Sequence, residues 1–181
     1  MSAAPDYIEP IVGWRTWLVV QEGEGFRLRS VVYDALWSPR NELVARCLHR
    51  ALPFPWRRRS KHLPPGRGCG CGVYAAREPD EAASYLEGRT WAETLCVHRV
   101  IGTVSLWGRV VECTRGWRAS RAYPKAIYVP AMRAPYWLRA ERAEEVALAL
   151  TEYDVPVELL DADSRGPEEV VAALGAGAAR G

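Results

Sequence analysis

The stretch Cys47–Tyr74, CLHRALPFPWRRRSKHLPPGRGCGCGVY, constrains this chain more than any other. It holds three of the five cysteines and two of the three histidines. Residues 49–68 within it are rich in proline and arginine, which exclude a central strand or a helix interior. A loop this long inside a compact domain needs something to fix its ends. A metal ion would do so. Zinc takes four ligands in a tetrahedron, drawn from thiolate and imidazole. The expected ligands are Cys47, His62, Cys69 and Cys71, with His49 competing for the place of His62. In an extended segment, residues i and i+2 point to one side, so the Cys69-Gly70-Cys71 triplet can offer both sulfurs to one ion. Gly70 and Gly72 are expected to let the backbone curl and aim N–H groups at those sulfurs. Four protein ligands leave no position for water, so the Zn2+ expected here is structural. The competing reading makes Cys69 and Cys71 small core residues and Cys47 a buried thiol. Cys96 and Cys113 are expected to be buried and inert, and His98 a satisfied histidine within a strand.

Length and composition bound the rest. With 181 residues, 49% of them apolar, the chain suits one domain with a real core. No apolar run approaches the roughly 20 residues that cross a bilayer. The opening MSAAPDYIEP lacks the basic-then-apolar order of a secretion signal, so a cytoplasmic, reducing location is expected. There, clustered cysteines point to metal before disulfides. The net charge of +2 is too small to argue for a nucleic-acid partner by itself. Eight Trp and eight Tyr stand against two Phe, and rings of that kind either fill a core or line a cleft.

The expected fold class is α+β: a strand-dominated antiparallel sheet or partly open barrel, with the zinc-pinned loop and a small C-terminal helix–strand–helix appendage. The organisation is one domain over 1–181. A β-rich core spans 11–135 with the metal loop at 47–71, an α/β appendage spans 136–175, and 176–181 form a disordered tail. Strands are expected at 11–20, 26–32, 42–48, 71–76, 95–107, 109–113, 117–123, 125–129 and 155–160. The third of these would deliver Cys47 at its end. Gly108 marks a bulge, and Pro156 demotes the last strand to an edge. Helices are expected near 79–86, at 139–153 from an apolar stripe at helical spacing, and at 167–174.

The opening Gly13–Trp17, the element His62–Pro65 before the Cys-x-Cys-Gly, and the strings SLWGRVVE (Ser105–Glu112) and GWRASRAYP (Gly116–Pro124) carry a resemblance. Together they resemble an uncharacterised bacterial family associated with actinobacteria and their relatives. The resemblance runs over about residues 13 to 124. It implies no activity.

Three functions compete. The first is a binding or adaptor module that contacts nucleic acid through Trp56, Arg57, Arg58, Arg59, Lys61 and Arg67. There, guanidinium groups would meet phosphates and Trp56 would stack on a base. Arg115, Arg118, Arg121 and Lys125 would add loose charge. The second is an accessory subunit that docks on a protein partner through Tyr136 and Trp137. The third, and least favoured, is an enzyme with a cleft around Glu112, Arg118 and Tyr123. No phosphate-binding glycine loop, nucleophile elbow or His-Glu-x-x-His motif supports it.

Overall fold

A computed structural model describes residues 9–47, 62–66, 68–87, 95–130, 141–160 and 166–178. The elements in order are β1 (Ile11–Glu22), β2 (Gly25–Ser30), β3 (Leu36–Trp37), β4 (Leu43–Val44), β5 (Val73–Ala76) and α1 (Pro79–Ala83). They are followed by β6 (Cys96–Cys113), β7 (Gly116–Pro130), α2 (Glu141–Leu150), a 3-10 turn (Thr151–Tyr153), β8 (Val157–Leu160) and α3 (Pro167–Ala178). Strands dominate, as the composition of β-branched and aromatic residues requires.

Two tight hairpins build the sheet. β1 and β2 pair from Trp17–Ser30 to Glu22–Gly25, and Gly23 supplies the positive φ of 61° that such a two-residue turn demands. β6 and β7 pair from Ile101–Tyr128 to Cys113–Gly116. β6 also pairs along β1, and β5 bridges β7 back to β1 through the single pair Trp14–Ala76. The strands β1, β6, β7 and β5 therefore close a ring of hydrogen bonds. The sheet is mixed, because β8 lies parallel to β7 after the helical crossover through α2.

Two expected strands, 117–123 and 125–129, are one. β7 passes through Pro124 because the register shifts there: Val104 faces Pro124 while Thr103 faces Ala126, leaving Lys125 as an extra residue. A proline lacks the ladder N–H, and a bulge is where that loss is tolerated. The expected bulge at Gly108 is present, with a register shift between Trp107 and Val110 and φ of 74° at the glycine. Leu36–Trp37, outside the expected strands, pairs with β2.

One face of β1 fills the ring. Trp17 and Trp37 pack edge to face with centroids 5.6 Å apart, and both are fully buried. The apolar stripe of α2, Ala143, Val146 and Leu150, joins this same core. The C-terminal unit is thus packed into the sheet's main core, and β8 extends the sheet itself. The opposite face of β1 and β6 is covered by α1 and α3, through Ala82, Leu86, Val170 and Leu174 against Ile101 and Trp14. Residues 176–178, expected in a disordered tail, belong to α3, which runs to Ala178.

Tyr153 fastens α2 to the sheet. Its hydroxyl donates to Trp37 O at 2.6 Å and accepts from Leu28 N at 2.8 Å. Burial pushes its pKa up to about 12, so the phenol stays protonated at neutral pH. Tyr153→Phe leaves a buried N–H and a buried carbonyl unmet. We expect a loss of about 2 kcal/mol in urea denaturation, and an unchanged midpoint would show that the hydroxyl is idle.

Candidate metal centre

Three segments bring the candidate ligands together. Cys47 follows β4, which is anchored on β7 by the pairs Leu43–Ala122 and Val44–Arg121 and by Ala45 N donating to Ser120 O at 2.8 Å. The expected strand 42–48 shrinks to Leu43–Val44, so Cys47 stands three residues beyond it rather than at its end. Cys69 and Cys71 lie in the approach to β5, outside the strand. His62 comes from the segment between.

The ligand atoms of Cys47, His62, Cys69 and Cys71 all lie within 4.8 Å of one another. Cys47 Sγ and Cys69 Sγ are 3.7 Å apart, and His62 Nε2 is 3.2 Å from Cys71 Sγ. With Zn–S of about 2.3 Å and Zn–N of about 2.0–2.1 Å, a tetrahedron has edges of about 3.8 Å between sulfurs and about 3.6 Å from sulfur to nitrogen. The cluster therefore has the size of one coordination sphere and could hold a metal ion. Cys71 is buried and the other three are half-buried.

Glycines shape this loop, though not quite those expected. Gly72 has φ of 128° and Gly68 has φ of 73°, whereas Gly70 keeps an ordinary φ and offers its carbonyl to the Tyr74 hydroxyl at 2.6 Å. At Gly66 a Cβ would stand 2.4 Å from the His62 ring, so the bare backbone lets the imidazole fold over it. Gly66 N also donates to Cys71 Sγ at 3.3 Å. An N–H aimed at a sulfur stabilises its thiolate. Burial raises the Cys71 pKa against that hydrogen bond, while a hydrogen bond from the Cys71 backbone lowers that of Cys69. Cys69 therefore gives up its proton before Cys71.

Arg118 supports the loop, a role that its sequence position did not reveal. It donates to Cys69 O and, at 3.1 Å, to Cys71 O. Its Nε donates to Cys113 Sγ at 3.3 Å, and its guanidinium lies over the Tyr74 ring. The pairing Tyr74–Arg118 between β5 and β7 puts both side chains on one face. The alternation in β7 was legible; its partner strand was not.

The other candidates separate. Glu112 faces Trp117 in the register and pairs with Arg77 at 2.6 Å; Arg118 faces Val111 and therefore lies on the other side of the sheet. Tyr123 donates to Tyr153 O at 2.9 Å and accepts from Arg40 N. These three do not form the suggested catalytic cleft. Arg121 pairs with Glu42 at 2.9 Å and Arg115 lies 3.9 Å from Glu81, so these two arginines and Arg118 already have partners. That removes most of the loose patch expected on the second hairpin. Cys96 and Cys113 are half-buried rather than buried. His98 is buried, donates Nε2–H to Pro130 O at 2.9 Å and has its pKa lowered by burial, as a satisfied histidine should. Trp56, Arg57, Arg58, Arg59, Lys61 and Arg67, like His49, Tyr136 and Trp137, lie outside the described residues.

No helix among the described residues is long and apolar enough to cross a membrane. No family model matches the chain, and no curated protein or solved structure shows significant similarity to it.

Proposed function

We propose that this chain is a zinc-stabilised binding module in which Cys47, His62, Cys69 and Cys71 hold one structural Zn2+. The observation that carries the reading is the convergence of three thiols and one imidazole within 4.8 Å, from residues spread over positions 47 to 71. Soft sulfur ligands in a four-donor set favour zinc over the harder divalent ions. Because the set is complete, the ion's role is to tie the end of β4 to the approach of β5. Arg118 then holds the carbonyls of Cys69 and Cys71 from behind.

Membership of the bacterial family whose motifs the chain resembles, and a cytoplasmic location, belong to the same proposal: thiol ligands stay reduced there. Contact with nucleic acid through Trp56–Arg59, Lys61 and Arg67, and an adaptor role, rest on the sequence alone. No described residue adds to either.

Elemental analysis of the purified full chain tests the centre. We expect about one zinc per chain, and less than a tenth of that in His62→Ala and Cys69→Ala. Wild-type protein without stoichiometric metal after expression in zinc-supplemented medium would refute it.

A further inference from the structure

The ring of strands closes between β1 and β5 through one residue pair only, Trp14–Ala76. Beyond that pair, the β2–β3 side and the β4–β5 side of the sheet diverge and leave a cleft of about 1240 Å3. Val31, Tyr33 and Leu36 line one wall, and Val44 and Tyr74 line the other. Such walls are apolar and ring-bearing, as in sites that hold small molecules.

Arg15 bridges the two walls. It donates to Tyr74 O on one side and to Ser30 Oγ at 2.9 Å on the other, and its guanidinium lies 5.2 Å from the centre of the Trp37 ring. A guanidinium carries five N–H donors, and these two bonds leave three over. Its Nε is shut off from solvent and has no hydrogen-bond partner. No carboxylate among the described residues pairs with it. By contrast, the three acids that line the cleft each have a cation nearby. Asp34 accepts from Arg29 Nε at 2.9 Å and Glu42 from Arg121 at 2.9 Å, while Glu81 has its Oε1 3.9 Å from Arg115 and its Oε2 buried without a hydrogen-bond partner. Burial pulls the pKa of Arg15 down to about 10, still far above neutral, so the side chain is charged. A desolvated cation without a counter-charge is costly, and an anion brought to it would offset that cost.

The geometry points to a second site, bordering the metal loop at Gly70–Gly72: the cleft binds a small molecule that places a carboxylate or phosphate on Arg15 and a planar apolar body between the tyrosine-bearing walls. A guanidinium fork suits either oxyanion, because both present paired oxygens. The aromatic walls select against the bare ion.

Titration of the full-length, metal-loaded protein with benzoate and with phenyl phosphate tests this, followed by the indole N–H signals in proton–nitrogen NMR spectra. We expect saturable shifts with at least one probe, at a dissociation constant of about 1 mM or tighter, and none with neutral benzyl alcohol. The stronger arm identifies the oxyanion. Arg15→Lys keeps the charge and loses the fork, and is expected to weaken binding about tenfold. Val44→Trp changes an exposed wall position that the core does not need, and should block the cleft with a similar loss. It keeps the test decisive should Arg15→Lys fail to fold. Absence of saturable shifts with both anions in the wild type, equal shifts from benzyl alcohol, or binding untouched in Val44→Trp and in a folded Arg15→Lys would each overturn the inference.

Discussion

Removing the proposed zinc with a chelator is expected to lower the melting temperature of this protein by on the order of 10 °C, and Cys71→Ser to do the same without chelator. Structural zinc contributes about 10–16 kcal/mol of binding free energy in small peptides that have no other source of order. Here the sheet has its own core around Trp17, Trp37 and Leu150, so only part of that amount reaches global stability. A share of about 4 kcal/mol, at about 2–4 °C per kcal/mol for a chain of this size, gives the stated shift. Cys71 is the most sensitive position, being the buried ligand and the one that receives the Gly66 N–H. Differential scanning calorimetry with and without a zinc chelator, and with zinc restored, measures the effect. Identical transitions in all three samples, with the metal shown to be gone, would sink the idea that the ion holds the loop.

Gly102→Ala is expected to destabilise the fold by about 3 kcal/mol, near the upper end of ordinary overpacking costs. Gly102 sits on β6 opposite Ile127, inside the longest hairpin. A Cβ there would lie 2.1 Å from Ala126 O and 3.1 Å from Ile127 Cα. Both are backbone atoms of a strand paired on its other edge to β8, so neither can swing aside as a side chain tip would. The matching control is Gly175→Ala in α3, where nothing lies within 4 Å of the added carbon. That change should stabilise by about 0.5–1 kcal/mol through helix propensity and unfolded-state entropy. Denaturant titration of the two variants beside the parent should move the midpoints in opposite directions. A neutral Gly102→Ala would mean that β6 and β7 separate more readily than their register implies.

Parts of this architecture were legible early. Alternation in Phe26–Ser30 marked β2, the helical stripe from Ala143 to Leu150 marked α2, and Gly108 marked a bulge. Other parts were misread for identifiable reasons. Pro124 looked like a strand end because a proline breaks a ladder, and only the partner strand's register reveals a bulge that absorbs it. Glu42–Leu48 looked like a full strand by its alternation, but β5 and β4 share one edge of β7, which leaves β4 only two residues of ladder. Glu112 and Arg118 looked like partners because they flank a turn; the two-residue turn Thr114-Arg115 puts Glu112 opposite Trp117 instead.

The chain's own chemistry marked the Cys/His cluster that could hold a metal ion, since thiols and imidazoles spaced around a proline-rich excursion have few other uses in concert. It determined a strand-rich fold as well, because residue type and a period of two are local properties. Only the folded molecule decided what stands behind the ligands and beside them. Arg118 reaches the Cys69 and Cys71 carbonyls, and Arg15 spans a cleft from Tyr74 O to Ser30 Oγ, because strands far apart in the chain come into register. Such contacts depend on which edges meet, and a one-residue slip would turn each of those side chains to the other face of the sheet.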